Sequence, residues 1–323
     1  MSRYVFKRLL SFIPMMLLIT FISFLIMDLS PVDPVTMYLK PGQEAITQER
    51  IEEVRHELGL DQPLVIRYVY WLKEAVQGNL GYSLSTKKPV LTEISSRIGT
   101  TVLVQLLTLA VSAVGGIMLG VYSARHRYSF QDTSITVLTF MGISIPNFYL
   151  ALLMILLFTM KLGWLPSVGL NTVGLVDPTW LEVFWDRVKH LIMPVAVCSM
   201  AQITGWTRSQ RNMFLDVVNQ DYIRTARAKG LDEKTVVWKH AFKNSSLPII
   251  TSLGMALPTL ISGSFIVETI FAIPGLGSLG TDAIMKNDYP IIMATLMFAS
   301  FLTLLGSLIS DILYVAIDPR IRY

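Results

Sequence analysis

The chain has 323 residues and a mass of 36.2 kDa, room for one large domain or two ordinary ones. Apolar residues make up 52% of it, charged residues only 15%, and the mean hydropathy is +0.53. A typical soluble chain carries roughly 25% charged residues. This one has too little polar surface to coat a globule in water, which excludes disorder and an ordinary cytosolic enzyme and indicates an integral membrane protein. The net charge of +4 points to an anionic partner only where the charge is clustered. The single cysteine, Cys198, has no internal disulfide partner and lies in an apolar run, where a free thiol behaves as a small buried hydrophobe.

The hydrocarbon core of a bilayer needs about 20 helical residues to cross. Six runs qualify: residues 9–29, 100–123, 133–160, 191–207, 249–271 and 290–317. The fourth is the most interrupted, by Gln202 and Thr204. The first follows Arg3, Lys7 and Arg8, like the charged start of a signal peptide. Its apolar stretch is too long for one, and Asp28-Leu29-Ser30-Pro31 is no cleavage site, so it reads as a retained anchor helix.

Basic residues in short loops set the orientation. One side has Arg3, Lys7 and Arg8, then Arg125 and Arg127, then eight between Arg208 and Lys243, and finally Arg320 and Arg322. The other has Lys161, Arg187, Lys189 and Lys286. Both termini are therefore expected in the cytoplasm, and retention there explains the basic clusters without a nucleic acid. Residues 1–29 form the tail and first membrane helix, residues 30–98 a small helical extracytoplasmic domain, residues 99–317 the membrane core, and residues 318–323 a cytoplasmic tail. In the external domain, Thr47 can cap a helix with Ile51, Val54 and Leu58 on one face, ended by Gly59. A second helix after Pro63 has Ile66, Val69, Leu72 and Val76 at helical spacing. These stripes are expected to pack against the membrane domain, the alternative being a docking site for an external partner.

The loop over residues 208–247 carries most information. Asp221 to Lys234 reads as helix, glycine, helix. Gly230 suits the left-handed position that ends a helix. Lys229 lies in the last turn of the first helix, and Asp232 and Glu233 in the first turn of the next, each favourable to the helix dipole. Ala226 and Ala228 have no bulk and would let another surface approach. Such a segment serves either as a mechanical handle or as an amphipathic loop on anionic lipid headgroups, and the residues alone leave both open.

Tyr222-Ile223-Arg224-Thr225-Ala226-Arg227-Ala228-Lys229-Gly230-Leu231, followed by His240-Ala241 and Leu247-Pro248, resembles the EAA loop of ATP-binding-cassette importer permeases, in the wording of the dipeptide/oligopeptide/nickel branch. Three more passages resemble that branch: Pro31-Val32-Asp33-Pro34 with Leu58-Gly59-Leu60-Asp61-Gln62-Pro63; Glu268 through Gly277; and Asp311-Ile312-Leu313-Tyr314 with Asp318-Pro319-Arg320-Ile321-Arg322. Val32 replaces a usual glycine, and Arg224-Thr225-Ala226 stands where the general loop has Glu-Ala-Ala, a departure the branch shares. The resemblance covers essentially the whole chain. It implies an all-α polytopic membrane protein with six transmembrane helices in the type I importer permease fold. It also implies import of short peptides, or of nickel or a nickel chelate. The implied partners are a second permease, two ATPase subunits that hold ATP and magnesium, and an extracytoplasmic binding protein or lipoprotein. Tyr222, Arg224, Thr225, Arg227 and Lys229 would then touch an ATPase, while Ala226, Ala228 and Gly230 would shape the helix and its contact.

Within the spans, Ser112, Gly116 and Gly120 form a small-residue face for close helix packing. Pro146, between Ser144 and Asn147, is expected to kink the third span. Glu268 and Asp311 are ionisable residues near span ends, where a structural contact and a pathway role are equally open. Gln105, Asn147 and Gln202 are uncharged candidates for lining a pathway. The sequence has no GxxxxGK[ST] loop, so ATP hydrolysis is expected on other chains and no cofactor or metal site on this one. An intramembrane enzyme would need a nucleophile–base or metal pair, whereas His56, His126, His190 and His240 lie in loops or at span ends. A channel or ion-coupled transporter would need charges near mid-span or broken-helix repeats.

Overall fold

The structure, a computed structural model, describes residues 2–29, 35, 48–57, 59–175, 177–246, 249, 252 and 264–317. Among them the fold is helical, with one isolated bridge between Tyr82 and Pro89. The first apolar run forms α1 (Ser2–Asp28). Its apolar window, Arg8–Asp28, is 21 residues, about 31 Å at 1.5 Å per residue and thus the thickness of a hydrocarbon core. Arg8 marks one edge of that window and Asp28 the other.

Two short helices follow, α2 (Gln48–Glu57) and α3 (Leu64–Val76). α3 lies on α1 through Tyr68, whose ring meets Phe21 and Phe24 edge-on at 5.1 and 5.7 Å. Of the stripe expected to pack, Ile66, Val69 and Val76 are turned outward, 42%, 56% and 81% exposed, while Leu72 is half-buried. Periodicity identifies an apolar face. It does not say which neighbour covers it, and here the aromatic contacts of Tyr68 set the rotation of the helix.

The second span lies within α4 (Val90–Arg125). The third begins as α5 (Phe130–Ser144), capped by the Ser129 hydroxyl, which accepts the Asp132 N–H at 3.2 Å. Instead of a kink, the chain breaks: Ile145 is extended, Pro146 starts α6 (Asn147–Met154), and the two axes turn by 104°. A residue before proline is pushed out of the helical region, so the helix ends there and a new one begins. α6 runs on as a π-helical stretch, Ile155–Lys161.

α7 (Trp180–Val218) contains the fourth run and extends well beyond it at both ends. It makes the largest interface of the fold, with α4. The small-residue face meets it: a Cβ on Gly116 would stand 2.6 Å from Cβ of Trp206, and one on Gly120 2.7 Å from the Thr207 carbonyl oxygen. By length and composition α1, α4 and α12 (Tyr289–Ile317) suffice to cross a membrane, as does the α5–α6 pair if counted as one bent span. α7 is not in that class, its apolar run being interrupted by polar residues, of which His190, Ser199, Thr204, Thr207 and Gln210 are buried. The fifth run falls mostly outside the described residues, which hold its end as α10 (Phe265–Ile270), followed by α11 (Leu276–Met285).

Candidate coupling elbow

Beyond α7 the chain turns into α8 (Asp221–Ala228). It then reverses into α9 (Glu233–Thr235), which continues as a π-helix, Val236–Phe242, and a last turn, Lys243–Ser245. α8 is short and polar, yet it is rooted. Ile223 and Ala226, three residues apart on one face, are buried against Val121 and Ala124 at the end of α4, Phe214 of α7, and Val236, Val237 and Ala241. Ala226 thus faces the protein's own core. Tyr222, Arg224, Thr225, Ala228, Lys229 and Gly230 are exposed.

The reversal has a defined geometry. Gly230 has φ +76°, its N–H donates to the Arg227 carbonyl at 2.9 Å, and the Leu231 N–H donates to the Ala226 carbonyl at 3.4 Å. These two bonds close the end of α8 in a Schellman motif, whose left-handed residue favours glycine. Asp232, expected in the first turn of the next helix, instead stands just before it as the cap, accepting the Thr235 N–H at 3.0 Å. The bonds from Thr235 lower its pKa. Arg227 closes the elbow with two hydrogen bonds to Glu233, at 2.8 and 3.2 Å. That guanidinium lowers the Glu233 pKa, and the carboxylate raises that of Arg227. Arg227 is thus engaged within the loop while its side chain stays 43% exposed, and Arg224 bonds Asp221 at 3.5 Å and is more exposed.

Two groups anchor the elbow from beneath, and sequence reading missed both. Asp132, 4% exposed, accepts two bonds from Arg211 of α7 at 2.8 and 2.9 Å, one from the Ser123 hydroxyl and one from the Tyr128 N–H at 3.0 Å. A planar guanidinium matched to a buried carboxylate is a strong, directional contact. It ties the ends of α4 and α7 to the start of α5. Arg211 read only as one retention charge among eight. The available signal was Ser129-x-x-Asp132, a helix-start pattern. Gln210, fully buried, donates to Ser245 Oγ at 3.0 Å and joins α7 to the end of the elbow.

Among the described residues, none of the five polar residues proposed inside the spans is bonded to another. Glu268 is 1% exposed, accepting the Thr101 hydroxyl at 2.9 Å and the Ser278 N–H at 3.1 Å; Thr101 in turn accepts the Leu276 N–H at 2.8 Å. Its carboxylate thereby staples α4 to the start of α11. Asp311 pairs with Arg8 at 2.7 Å and ties α12 to α1, beside Phe12, Leu304 and Leu308. Each of these contacts joins two helices. Gln105 is buried within α4, Asn147 is exposed at the start of α6, and Gln202 is half-buried on α7. At the opposite end of the bundle from the elbow, Asp288 accepts the N–H groups of Leu84 and Ser85, both at 3.0 Å, and the hydroxyls of Ser83 and Ser85. Burial pushes its pKa up, but the bonds from the 83–85 loop outweigh that and hold it below the usual carboxylate value.

Fold and elbow together define a helical, multi-pass membrane protein that holds a short, rigidly rooted helix outside its bundle. Residues 116–323 match the family model of the binding-protein-dependent transport system inner membrane component, and residues 1–105 match the model of its N-terminal part. The chain belongs to this family, the inner-membrane permease subunits of ATP-binding-cassette importers. It is 42% identical over 324 residues to the oligopeptide transport system permease protein AppB of Bacillus subtilis (strain 168), with 100% of each chain covered. It is 37% identical over 323 residues to the glutathione transport system permease protein GsiC of Escherichia coli O6:H1, again over 100% of both. Among solved structures, a chain of the MetNI methionine ABC transporter in inward-facing form matches with a TM-score of 0.54 and 17% identity, covering 70% of this chain and 96% of that one. That likeness bears on the fold, which is of the type I importer permease kind.

Proposed function

We propose that this chain forms half of the translocation pathway of an ATP-driven peptide importer and that α8 is the helix through which separate ATPase subunits, carrying ATP and magnesium, drive it. The observation that carries the reading is the two-faced build of α8. Ile223 and Ala226 root it in a core shared by α4, α7 and α9, while Tyr222, Arg224, Thr225, Ala228 and Lys229 stand outward. A push on the outer face is passed to α4 and α7 through packed side chains. In this reading the elbow and both termini face the cytoplasm, consistent with the basic loops, and residues 30–98 face outward, where an external binding protein delivers cargo to this chain and a second permease. The oligopeptide and glutathione permeases among its relatives favour peptide over nickel as cargo.

Gly230→Val tests the coupling. A β-branched residue is strained at φ +76°, so membrane insertion is retained while transport and substrate-stimulated ATP hydrolysis are lost. Gly230→Asn, which tolerates the left-handed region, retains both. Undiminished transport in the valine variant overturns the reading.

A further inference from the structure

α3 carries an apolar surface that does not fit a domain standing in water: Val65 is 60%, Ile66 42%, Val69 56% and Tyr70 65% exposed. What it touches fixes its depth. The Tyr68 hydroxyl pairs with Thr20 Oγ1 at 2.8 Å and reaches the Leu17 carbonyl at 3.1 Å, both inside the membrane window of α1. Thr20 lies eight residues, about 12 Å, inward of Asp28 at 1.5 Å per residue. In the other direction Arg67, next to Tyr68, bonds Asp28 at the window's edge, its guanidinium 5.8 Å from the Phe24 ring centroid. One side chain reaches down and its neighbour up, which sets the α3 backbone near the level of Phe24, about 6 Å inside the edge. That is the depth at which amphipathic helices lie in a bilayer interface. The face of α1 beside it, including Leu18, Ile22 and Ile26, is also exposed and apolar, so the α3 surface continues a lipid-facing wall. The remaining features agree. Trp71 suits the interface belt, Arg67 snorkels to the edge, Lys73, one turn beyond Val69 on the same face, has a stem long enough to do likewise, and Glu74, exposed, is turned away from that face.

We propose that α3 is an interfacial helix sunk into the leaflet at the Asp28 end of α1, with Val65, Ile66, Val69 and Tyr70 against lipid acyl chains. The helix is a lipid contact and not a docking face for a protein. This rests on the chain being a membrane protein and not on its cargo or on the role of α8. The test uses the assembled importer in phospholipid nanodiscs, in a Cys198→Ser background, with a nitroxide placed in turn at Val69→Cys, Tyr70→Cys and Glu74→Cys. Collision with oxygen, which concentrates in acyl chains, is compared with collision with a water-soluble nickel chelate. Oxygen should exceed the chelate several-fold at 69 and 70, with the order reversed at 74. Free access of the chelate to 69 and 70 overturns the proposal in favour of a solvent-facing domain. Shelter from both reagents overturns it in favour of a protein partner.

Discussion

Gly275 shows how one missing carbon holds a junction together. A Cβ there would stand 2.6 Å from Thr101 Oγ1 and would also collide with the Glu268 carboxylate. Gly275→Ala must therefore separate the staple between α4 and α11, at a cost of about 1–3 kcal/mol for overpacking; a lowered melting temperature of the purified protein is the expected outcome. Asp288 gives a pH-dependent counterpart. Its folded pKa lies below the ordinary carboxylate value, so its stabilising contribution is complete above that value and is lost as pH falls through the folded one. Asp288→Asn should lower the melting temperature most near neutral pH, and the gap between variant and parent should narrow below about pH 4. A gap that does not change with pH would mean that the charge contributes nothing.

Among the elements, the elbow is the part on which the proposed coupling depends. Arg227 and Glu233 are 43% and 56% exposed, so their pair is worth only about 0–1 kcal/mol. Arg227→Ala should leave the melting temperature nearly unchanged, whereas Ile223→Ala empties part of a packed core and should cost about 2–5 kcal/mol. If thermal melts reverse that order, the ion pair and not the core holds α8. The helix–glycine–helix pattern of this segment was legible because Gly230 and the charged residues around it act locally, within one or two turns. The inward turn of Ala226 was not, because it depends on Val121 and Phe214 arriving from distant parts of the chain. The α5–α6 break sits between these cases. Pro146 announced an interruption, but the size of the turn depends on what α6 packs against, including Ala151 in the core with Val195 and Val197.

At the scale of the whole molecule, α4 and α7 are the shaft between the elbow and the far end of the bundle. Close contact at Gly116 and Gly120 joins α4 to α7, the Asp132–Arg211 pair ties both to α5, and the Glu268 staple ties α4 to α11. A subunit built this way needs partners to supply force and cargo. Mild-detergent purification from native membranes should recover two ATPase chains, a second permease and a peptide-binding protein, with uptake that follows ATP and ignores ion gradients. Recovery of this chain alone, with uptake driven by an ion gradient, would support a secondary transporter instead.

The membrane class, the placement of most apolar runs, the helix–glycine–helix elbow and the family were all legible along the chain, because hydropathy, capping and motif wording are properties of contiguous residues. The rotation of each helix and the partners of each buried charge came from the folded packing. It turned Val69 outward and Ala226 inward, gave Asp132 to Arg211 and Asp311 to Arg8, and made Glu268 a staple. Such outcomes depend on pairs separated by tens to hundreds of positions, whose encounter is settled by packing the whole bundle. No local periodicity encodes them.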